Sequence, residues 1–194
     1  MILLDPALGP DFALRVPLAT RKLASHPGSF RGSRLPALRT LNRFLSVAQA
    51  AVRLRGQVTV LLTTDAEIRK LNRQFRGKNK ATDILSFPAD TLVQSEDKGD
   101  LAISVTTALR QAAEQGHPLA TEIKVLILHG LLHLAGYDHE TDQGQMARRE
   151  QRLRAQLRLP QGLIERVATG KKGPDKARQP QPSEFKPRAR RPAR

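Results

Sequence analysis

The sequence predicts a single α+β domain, residues 1–167, followed by a disordered basic tail, residues 168–194. Three observations favour this fold. The length of 194 residues fits one domain plus extensions. Segments with the apolar spacing of helices occur beside segments that alternate apolar and polar residues, as strands do. One predicted helix is apolar on nearly all sides, which is typical of a helix at the centre of a domain.

The first part of the chain contains one weak strand pattern and one clear helix pattern. Phe12–Val16 alternates enough to be a first strand, and Pro17–Arg34, with its proline, glycine and serine residues, is predicted to be a loop. A helix is predicted to open at Pro36, since proline is tolerated in a first turn, and to stop at Gly56. Its apolar stripe consists of Leu38, Leu41, Leu45, Ala48 and Val52.

A strand and a short helix are predicted next. Gln57–Thr63 alternates between two faces and is expected to be the strand. Thr64 and Glu67 then form a capping-box pattern, which marks the start of a helix. The helix is predicted to end near Gly77. Its apolar residues are Ile68, Leu71 and Phe75.

A polar, basic connection leads from this helix to a second strand. The strand is predicted at Ile84–Phe87, and Pro88 limits its continuation. From the pattern alone, the connection is an ordinary helix-to-strand loop. Residues 89–99 are predicted to be another polar loop, before a strand at Asp100–Ser104. The basic residues of the first connection are Arg76, Lys78 and Lys80.

Three helices are predicted after that strand. The first is Thr106–Gln115, closed by Gly116, and the second is Thr121–Ala135, the apolar helix of the domain centre. The third is capped by Asp142 and runs to about Leu159. The residues expected to face inward are Ala108, Leu109, Ala112 and Ala113 in the first helix and Met146, Leu153 and Leu157 in the third. Five arginines cover the rest of the third helix, as a solvated face or as a surface that contacts RNA: Arg148, Arg149, Arg152, Arg154 and Arg158.

The stretch from His129 to His139 holds three of the five histidines of the chain. His129 and His133 lie four residues apart in the apolar helix and therefore share one face. Gly136 follows where that helix ends, and glycine enters the left-handed conformation needed for a reversal at little cost. The reversal can bring His139 back toward the other two histidines. The spacing therefore predicts a cluster of three imidazoles.

Three neutral imidazoles suit zinc, although nickel, copper and iron accept the same ligand. Because the chain has no cysteine to close a fourth position, the pattern indicates one ion in an open, catalytic type of site. The spacing matches the His-Glu-x-x-His-x-x-Gly-x-x-His motif of zinc proteases, but Gly130 stands where those enzymes carry a glutamate base. Peptide hydrolysis is therefore disfavoured. Asp138 could orient an imidazole or be an ordinary surface carboxylate.

The charge of the chain indicates a polyanionic partner. The net charge is +15, of which the tail holds +7, with nine lysines and arginines against Asp175 and Glu184, and residues 1–167 hold +8. A basic body beside a basic tail favours nucleic acid. A membrane is less favoured, because no amphipathic aromatic helix accompanies the charge and no apolar run is long enough to span a bilayer. The absence of cysteine and of a secretory pattern favours a soluble, cytoplasmic protein.

Two stretches together resemble the YbeY family, the bacterial rRNA-maturation endoribonucleases. The matching segments are 71–78 (LNRQFRGK), 82–88 (TDILSFP), 99–104 (GDLAIS) and the histidine segment 129–139. The resemblance runs from about Val58 to Leu159 and covers neither residues 17–34 nor the tail. It implies a mixed sheet of about four strands, packed with about five helices, with the metal beside the central helix.

The resemblance also implies a site and an activity. The family's zinc-binding histidines match His129, His133 and His139, and an arginine implicated in its activity matches Arg76. That match argues for a catalytic Arg76 and against the ordinary-loop interpretation. The implied activity is zinc-dependent cleavage of single-stranded RNA, in maturation of the 3′ end of small-subunit rRNA and in ribosome quality control.

The implied partners are rRNA precursors and the small ribosomal subunit, while a ribosomal protein or a GTPase as a further partner stays open. Two other functions also stay open. One is a non-catalytic ribosome-assembly factor in which zinc is structural, favoured by the missing glutamate and by the basic charge. The other is a zinc peptidase, which Gly130 and the charge both oppose.

Overall fold

Four strands and five α-helices make up the computed structural model, which describes residues 1–9, 35–89 and 96–160. The strands are β1 (Ile2–Leu4), β2 (Gln57–Thr63), β3 (Ile84–Pro88) and β4 (Asp97–Ser104). The helices are α1 (Leu38–Val52), α2 (Asp65–Arg76), α3 (Val105–Glu114), α4 (Leu119–Leu134) and α5 (Gln145–Gln156). A short 3₁₀ helix, Pro6–Leu8, follows β1. The predicted α+β class is confirmed.

The four strands form one mixed sheet in the order β1-β2-β4-β3. Strand β1 pairs with β2, and β2 with β4, in parallel, whereas β3 pairs with β4 antiparallel at one edge of the sheet. The edge position suits Pro88 at the end of β3, because proline has no N–H to donate to a further strand. The mixed sheet implied by the resemblance is therefore confirmed.

Helix α4 lies at the centre of the larger core. It packs against β3, β4, α1, α3 and α5, and every residue from Val125 to Leu132 is buried. Because the helix is covered on several sides at once, its sequence is apolar nearly all round. Strand β2 contributes the face predicted from its alternation, namely Val58, Val60 and Leu62. The surroundings of α4 are therefore rigid.

Helix α2 covers the opposite face of the sheet. Its Ile68 clusters with Leu85 of β3 and Ala102 of β4, which are partners across the two strands. The adjacent strand residues point the other way, since Ile84 and Leu101 lie against α4. The sheet thus separates α2 from α4.

The helix-start signals act largely as predicted. Thr64 is the N-cap of α2, where its Oγ1 accepts a hydrogen bond from the Glu67 N–H at 3.4 Å. Asp142 caps the start of α5, where its Oδ2 accepts a hydrogen bond from the Met146 N–H at 2.6 Å. Both side chains satisfy donors that a helix start leaves without a partner.

Two strands differ from the prediction. Strand β1 lies in Ile2–Leu4, for which the sequence predicts no element, because three residues carry too little pattern and gain their partners only from β2. Strand β4 begins at Asp97, inside the predicted polar loop 89–99, because Asp97 pairs with Gln57 of β2. The expectation of a loop up to residue 99 is therefore wrong.

Two helix details also differ from the prediction. Helix α1 ends before Gly56, because Arg53 adopts a left-handed conformation with φ 69°. Ala113 is exposed instead of facing inward. Helix α3 buries the narrower stripe that contains Ala108 and Ala112, one turn apart, and Ala113 falls outside it.

Several predictions lie outside the described residues. These are the strand Phe12–Val16, the loop Pro17–Arg34, the disorder of residues 168–194 and the domain boundary at residue 167. Among the helices that the structure does describe, none has both the length and the apolar character needed to cross a membrane.

Candidate metal centre

The structure brings the three predicted histidines together. His129 and His133 project from α4 one turn apart, and their Nε2 atoms lie 3.1 Å from each other. The ring of His139 lies 5.4 Å from that of His129 and 5.2 Å from that of His133, measured between centroids. The nitrogens that the three side chains offer lie within 4.8 Å of one another. The cluster could hold a metal ion.

The reversal after α4 depends on Gly136, as the sequence predicts. Gly136 has φ +87°, in the left-handed region. Its N–H donates to the carbonyl of His133 at 3.0 Å, and the Tyr137 N–H reaches back to the carbonyl of Leu132 at 3.0 Å. These bonds close the helix end and turn the chain so that His139 faces its two neighbours.

Asp138 belongs to this turn and not to the support of a ring. Its carboxylate accepts hydrogen bonds from the Glu140 N–H and the Thr141 hydroxyl, both at 3.0 Å. These two bonds hold the pKa of the Asp138 carboxyl below its usual value, against a small opposing effect of burial. The structure therefore places Asp138 as a loop residue beside the cluster.

A different carboxylate supports the cluster from behind. Glu150 of α5 places Oε2 3.0 Å from Nδ1 of His129, and its other oxygen, Oε1, accepts a hydrogen bond from Nε of Arg154 at 2.7 Å. Arg154 also donates through Nη1 to the carbonyl of Pro160 at 2.7 Å. Glu150 and Arg154 are only 2% and 1% exposed. The prediction that Arg154 lies on the outer arginine surface is therefore wrong.

The Glu150 carboxylate is held in its ionised form. Burial would raise its pKa, but the hydrogen bond and charge of His129 and the positive charge of Arg154 outweigh burial and lower it. An ionised carboxylate only accepts hydrogen bonds, so Nδ1 of His129 must carry the proton. When the His129 ring is neutral, a proton on Nδ1 leaves Nε2 free, and this is the nitrogen that faces His133. Glu150 thereby turns His129 toward the cluster in a ligand form.

Sequence reasoning missed Glu150, although the chain does contain a signal for it. Glu150 lies four residues after Met146 and three before Leu153, within the apolar stripe of α5, and Arg154 follows at the spacing of an ion pair on one helix. A glutamate in a buried stripe is stable only with partners. One partner is the arginine and the other is the first histidine of the cluster.

The cluster also fits a cation by its protonation and its donors. Burial, with the neighbouring His129 and His139 rings as a smaller cause, lowers the pKa of His133 to about 4, so this ring is neutral at pH 7. The buried Nδ1 of His139 has no hydrogen-bond partner in the described part of the chain. Such a nitrogen loses its hydration without gaining a protein partner, a cost that metal coordination would offset.

Gly130, at the position of the protease base, packs closely against the sheet. A Cβ atom on this residue would lie 2.7 Å from Cδ1 of Ile84 and 2.7 Å from Cδ2 of Leu101. Helix α4 packs against the sheet at this point, and a larger side chain at residue 130 would require the ends of the Ile84 and Leu101 side chains to shift. The close packing therefore favours glycine at this position.

Arg76 lies at the exposed C-terminal end of α2, before the turn at Gly77. In the described part of the chain, its guanidinium makes no hydrogen bond or ion pair, with the histidine cluster or with anything else. A cation in the last turn of a helix also interacts favourably with the helix dipole. The structure therefore leaves Arg76 available to an external anion.

Arg76 and the cluster nevertheless lie toward the same end of the sheet. On the α2 face, the ring of Phe75 packs against that of Phe87, at 5.1 Å between centroids. On the α4 face, the side chain of Leu134 lies over Gly99, which pairs with Pro88 next to Phe87. The end of β3 thus lies between the last turn of α2 and the last turn of α4.

Comparisons with known proteins identify the family of the chain. A family model described as Endoribonuclease YbeY matches residues 35–158. The chain belongs to the YbeY family. The matched span includes the three histidines, Glu150 and Arg76.

Two curated relatives have the same family name. Endoribonuclease YbeY of Koribacter versatilis (strain Ellin345) is 52% identical over 128 residues, which are 66% of this chain and 82% of that protein. Endoribonuclease YbeY of Solibacter usitatus (strain Ellin6076) is 51% identical over 127 residues, which are 66% and 84% of the two chains. A solution structure from Thermotoga maritima matches with a TM-score of 0.47 and 23% identity, over 75% of this chain and 96% of that one.

Proposed function

We propose that this YbeY-family chain is a zinc-dependent endoribonuclease that cleaves single-stranded RNA, and hence a hydrolase of phosphodiester bonds. The main support is the cluster of His129, His133 and His139, whose ligand nitrogens lie within 4.8 Å of one another. It occurs in a chain whose relatives are named endoribonucleases. The three histidines are the proposed ligands of one zinc ion.

The metal and its supporting residues would have distinct tasks. A zinc ion bound by three imidazoles supplies Lewis acidity and lowers the pKa of a coordinated water toward about 7. Glu150 holds the proton on Nδ1 of His129 and thereby keeps Nε2 free as a donor to the metal. Arg154 fixes the Glu150 carboxylate from the other side. In this proposal both act as positioning residues.

Arg76 is the proposed catalytic residue for phosphate. Its guanidinium is exposed and unpaired in the described part of the chain, and a guanidinium can donate two parallel hydrogen bonds to phosphate oxygens. It would stabilise the negative charge that grows on the phosphoryl group in the transition state. The net charge of +15 would attract the RNA.

Either water or the 2′-hydroxyl of the RNA could be the nucleophile in this scheme, and the products distinguish them. Attack by the 2′-hydroxyl leaves a 2′,3′-cyclic phosphate and a 5′-hydroxyl end. Attack by water leaves a phosphate monoester without a cyclic intermediate. Mass analysis of the two new ends of a short RNA decides between the two nucleophiles.

In the cell, the proposed role is maturation of the 3′ end of small-subunit rRNA and ribosome quality control. The proposed partners are rRNA precursors and the small ribosomal subunit in the cytoplasm. Residues 1–167 are the proposed catalytic domain, and the basic residues 168–194 lie outside it.

A second candidate function is a ribosome-assembly factor in which the metal only stabilises the fold. Gly130 favours it, because the chain lacks the carboxylate base that the zinc proteases carry at that position. A cell that carries a folded His133→Ala variant distinguishes the two candidates. Unprocessed rRNA 3′ ends support the endoribonuclease, whereas normal 3′ ends support the assembly factor.

The direct test is a cleavage assay on a defined single-stranded RNA, with metal content measured on the same samples. We expect His133→Ala to lose metal and cleavage together, because it removes one of three ligands. We expect Arg76→Glu to keep the metal and lose cleavage. Arg69→Glu, an equal charge change at another exposed position of α2, is the control and should cleave nearly as well as the parent. Cleavage by a metal-free His133→Ala protein would contradict the proposal.

A further inference from the structure

Phe75 is the one exposed aromatic residue in the described part of the chain. Its side chain and backbone are 59% exposed, whereas Phe44, Phe87 and Tyr137 are each half-buried. It lies in the last turn of α2, directly before Arg76. A single exposed apolar residue is common on protein surfaces, so the inference depends on what lies beside this ring.

The ring of Phe75 is exposed but held in place. It makes an edge contact with Phe87, with 5.1 Å between the ring centroids and 66° between the ring planes. Phe87 is part of β3 and packs against the small core beneath α2. An aromatic ring fixed in this way offers a flat surface whose ordering costs little entropy on binding.

The chain on both sides of this ring is positively charged. Between Lys70 and Asp83 the sequence contains four cationic residues and no acidic one. All four are exposed, and none forms an ion pair in the described part of the chain. These residues are Arg73, Arg76, Lys78 and Lys80.

The loop that carries two of these cations is tied to the helix. Asn72 of α2 is buried, and its Nδ2 donates to the carbonyl of Lys80 at 2.6 Å. The Lys78 N–H donates to the main-chain carbonyl of Asn72 at 3.2 Å. Asp83, the next acidic residue, is engaged by the Ile84 N–H at 2.9 Å and by the Gln111 amide at 3.0 Å. The cations therefore have no acidic partner within this loop.

The geometry points to a binding subsite for single-stranded RNA at the end of α2, in which Phe75 stacks on an unpaired base and Arg76, Lys78 and Lys80 contact the flanking phosphates. This inference rests on the proposed function, because it names the part of the surface that would hold the RNA. Aromatic rings beside cations bind single strands, since every base has a face to stack. Bases inside a duplex are already stacked, so the subsite would prefer unpaired RNA.

The test is a binding measurement on the full chain with a short, labelled single-stranded RNA. The RNA carries 2′-O-methyl groups, and its length is checked by gel after each titration, so that binding is separated from cleavage. We expect Phe75→Leu to weaken binding by about tenfold, the effect of one lost stacked base. Phe75→Trp should bind at least as well as the parent. Val47→Ala, at an apolar residue of α1 that is 49% exposed, is the control and should bind unchanged.

A second arm needs no variant and so does not depend on how Phe75→Leu folds. The parent protein should bind an abasic RNA of the same length about tenfold more weakly than the normal RNA. Phe75→Leu and the parent should bind the abasic RNA equally. Raising the salt concentration should weaken all complexes but leave the tenfold difference in place, because stacking releases no counterions.

Three results would overturn the subsite. The first is equal affinity of the parent for normal and abasic RNA. The second is that Phe75→Leu loses the same factor in affinity, relative to the parent, for normal and for abasic RNA. The third is that Phe75→Leu loses the same factor in affinity for an acidic peptide, which would indicate a protein partner. Absence of cleavage of the unmodified RNA, in a parallel assay with the parent protein, would contradict the proposed function and leave the binding result standing. Unchanged binding by Phe75→Leu with normal cleavage would contradict the subsite alone.

Discussion

The end of α4 and the end of α2 face the same end of the sheet but are built in opposite ways. At the end of α4, the rings of His129 and His133 are wholly or partly buried, and His129 is held by Glu150 and Arg154 behind it. At the end of α2, Arg76 and its neighbours are exposed and have no acidic partner in the described part of the chain. One region satisfies its charges internally, and the other leaves them for an external anion.

This difference corresponds to two tasks within one proposed reaction. A metal site needs ligands that are fixed before the metal arrives, and a chain of buried hydrogen bonds fixes them. A surface that holds a flexible strand needs accessible charge, which would be lost if the cations were paired with carboxylates. Disturbing the first region should therefore affect stability and metal binding, and disturbing the second should affect RNA binding and cleavage without affecting either of these.

The largest effect on stability is expected from Arg154→Met. The change removes a buried cation and leaves the Glu150 carboxylate buried with only His129 as its partner. An uncompensated buried charge of this kind costs about 3–5 kcal/mol. Urea unfolding measures the change, and Arg152→Met, at an exposed position of the same helix, should change stability by no more than about 0.5 kcal/mol. Equal stability of the two variants would show that Arg154 is not needed to balance Glu150.

A smaller effect, on metal affinity, is expected from Glu150→Gln. The amide keeps the shape and its oxygen can still accept a hydrogen bond from Nδ1 of His129, but it loses the negative charge that favours this tautomer. Loss of such a partner typically weakens metal binding by about 10–100-fold, and we expect the lower end of that range. Competition with a chromophoric chelator measures the affinity, and ¹⁵N NMR reports which nitrogen of His129 carries the proton. Glu140→Gln, at an exposed carboxylate of the adjacent loop, should leave both unchanged.

The histidine cluster could be predicted from the sequence because all its determinants are local. The spacing of His129 and His133 requires only that the segment be helical, and the reversal before His139 requires only a glycine at residue 136. The apolar sequence of α4 also predicted its position at the centre of the domain. The mixed character of the sheet came from the resemblance alone, and the order of its strands was not predicted, since alternation in a strand contains no information about its neighbours.

Glu150 and Arg154 could not be predicted in the same way, because their partners come from another helix. In a helix with five arginines, a charged residue is expected to face water unless it is paired. The pairing of Glu150 with His129 spans 21 positions in sequence and exists only once α5 packs against α4. Strand β1 was missed for a similar reason, since its partners in β2 lie far along the chain.

The stability of the histidine cluster region should also depend on pH. Burial lowers the pKa of His133 to about 4 in the folded chain, against about 6.5 for an unfolded histidine. Between these values the unfolded chain binds more protons than the folded one. The stability of the metal-free protein should therefore be fully present above about pH 6.5 and fall progressively toward pH 4.

Urea unfolding of metal-free protein at pH 7 and pH 5 measures this loss. The variant His133→Asn should lose less stability between the two values, because it removes the group that takes up the proton. A parallel loss in parent and variant would assign the pH dependence to other residues. Glu150, whose pKa is lowered, contributes in a lower window, because its stabilisation is lost only as the pH falls through its folded pKa.

The smallest effect on stability is expected from Arg76→Gln, and it separates the two regions most clearly. Arg76 is exposed and makes no hydrogen bond or ion pair within the described residues, so unfolding should change by at most about 0.5 kcal/mol. Metal affinity should not change. If its guanidinium contacts one phosphate, the logarithm of the RNA affinity should depend less steeply on the logarithm of salt concentration, by about 0.7. If the salt dependence is unchanged but cleavage is reduced, Arg76 acts only in the transition state. If both the salt dependence and cleavage are unchanged, Arg76 does not contact the RNA.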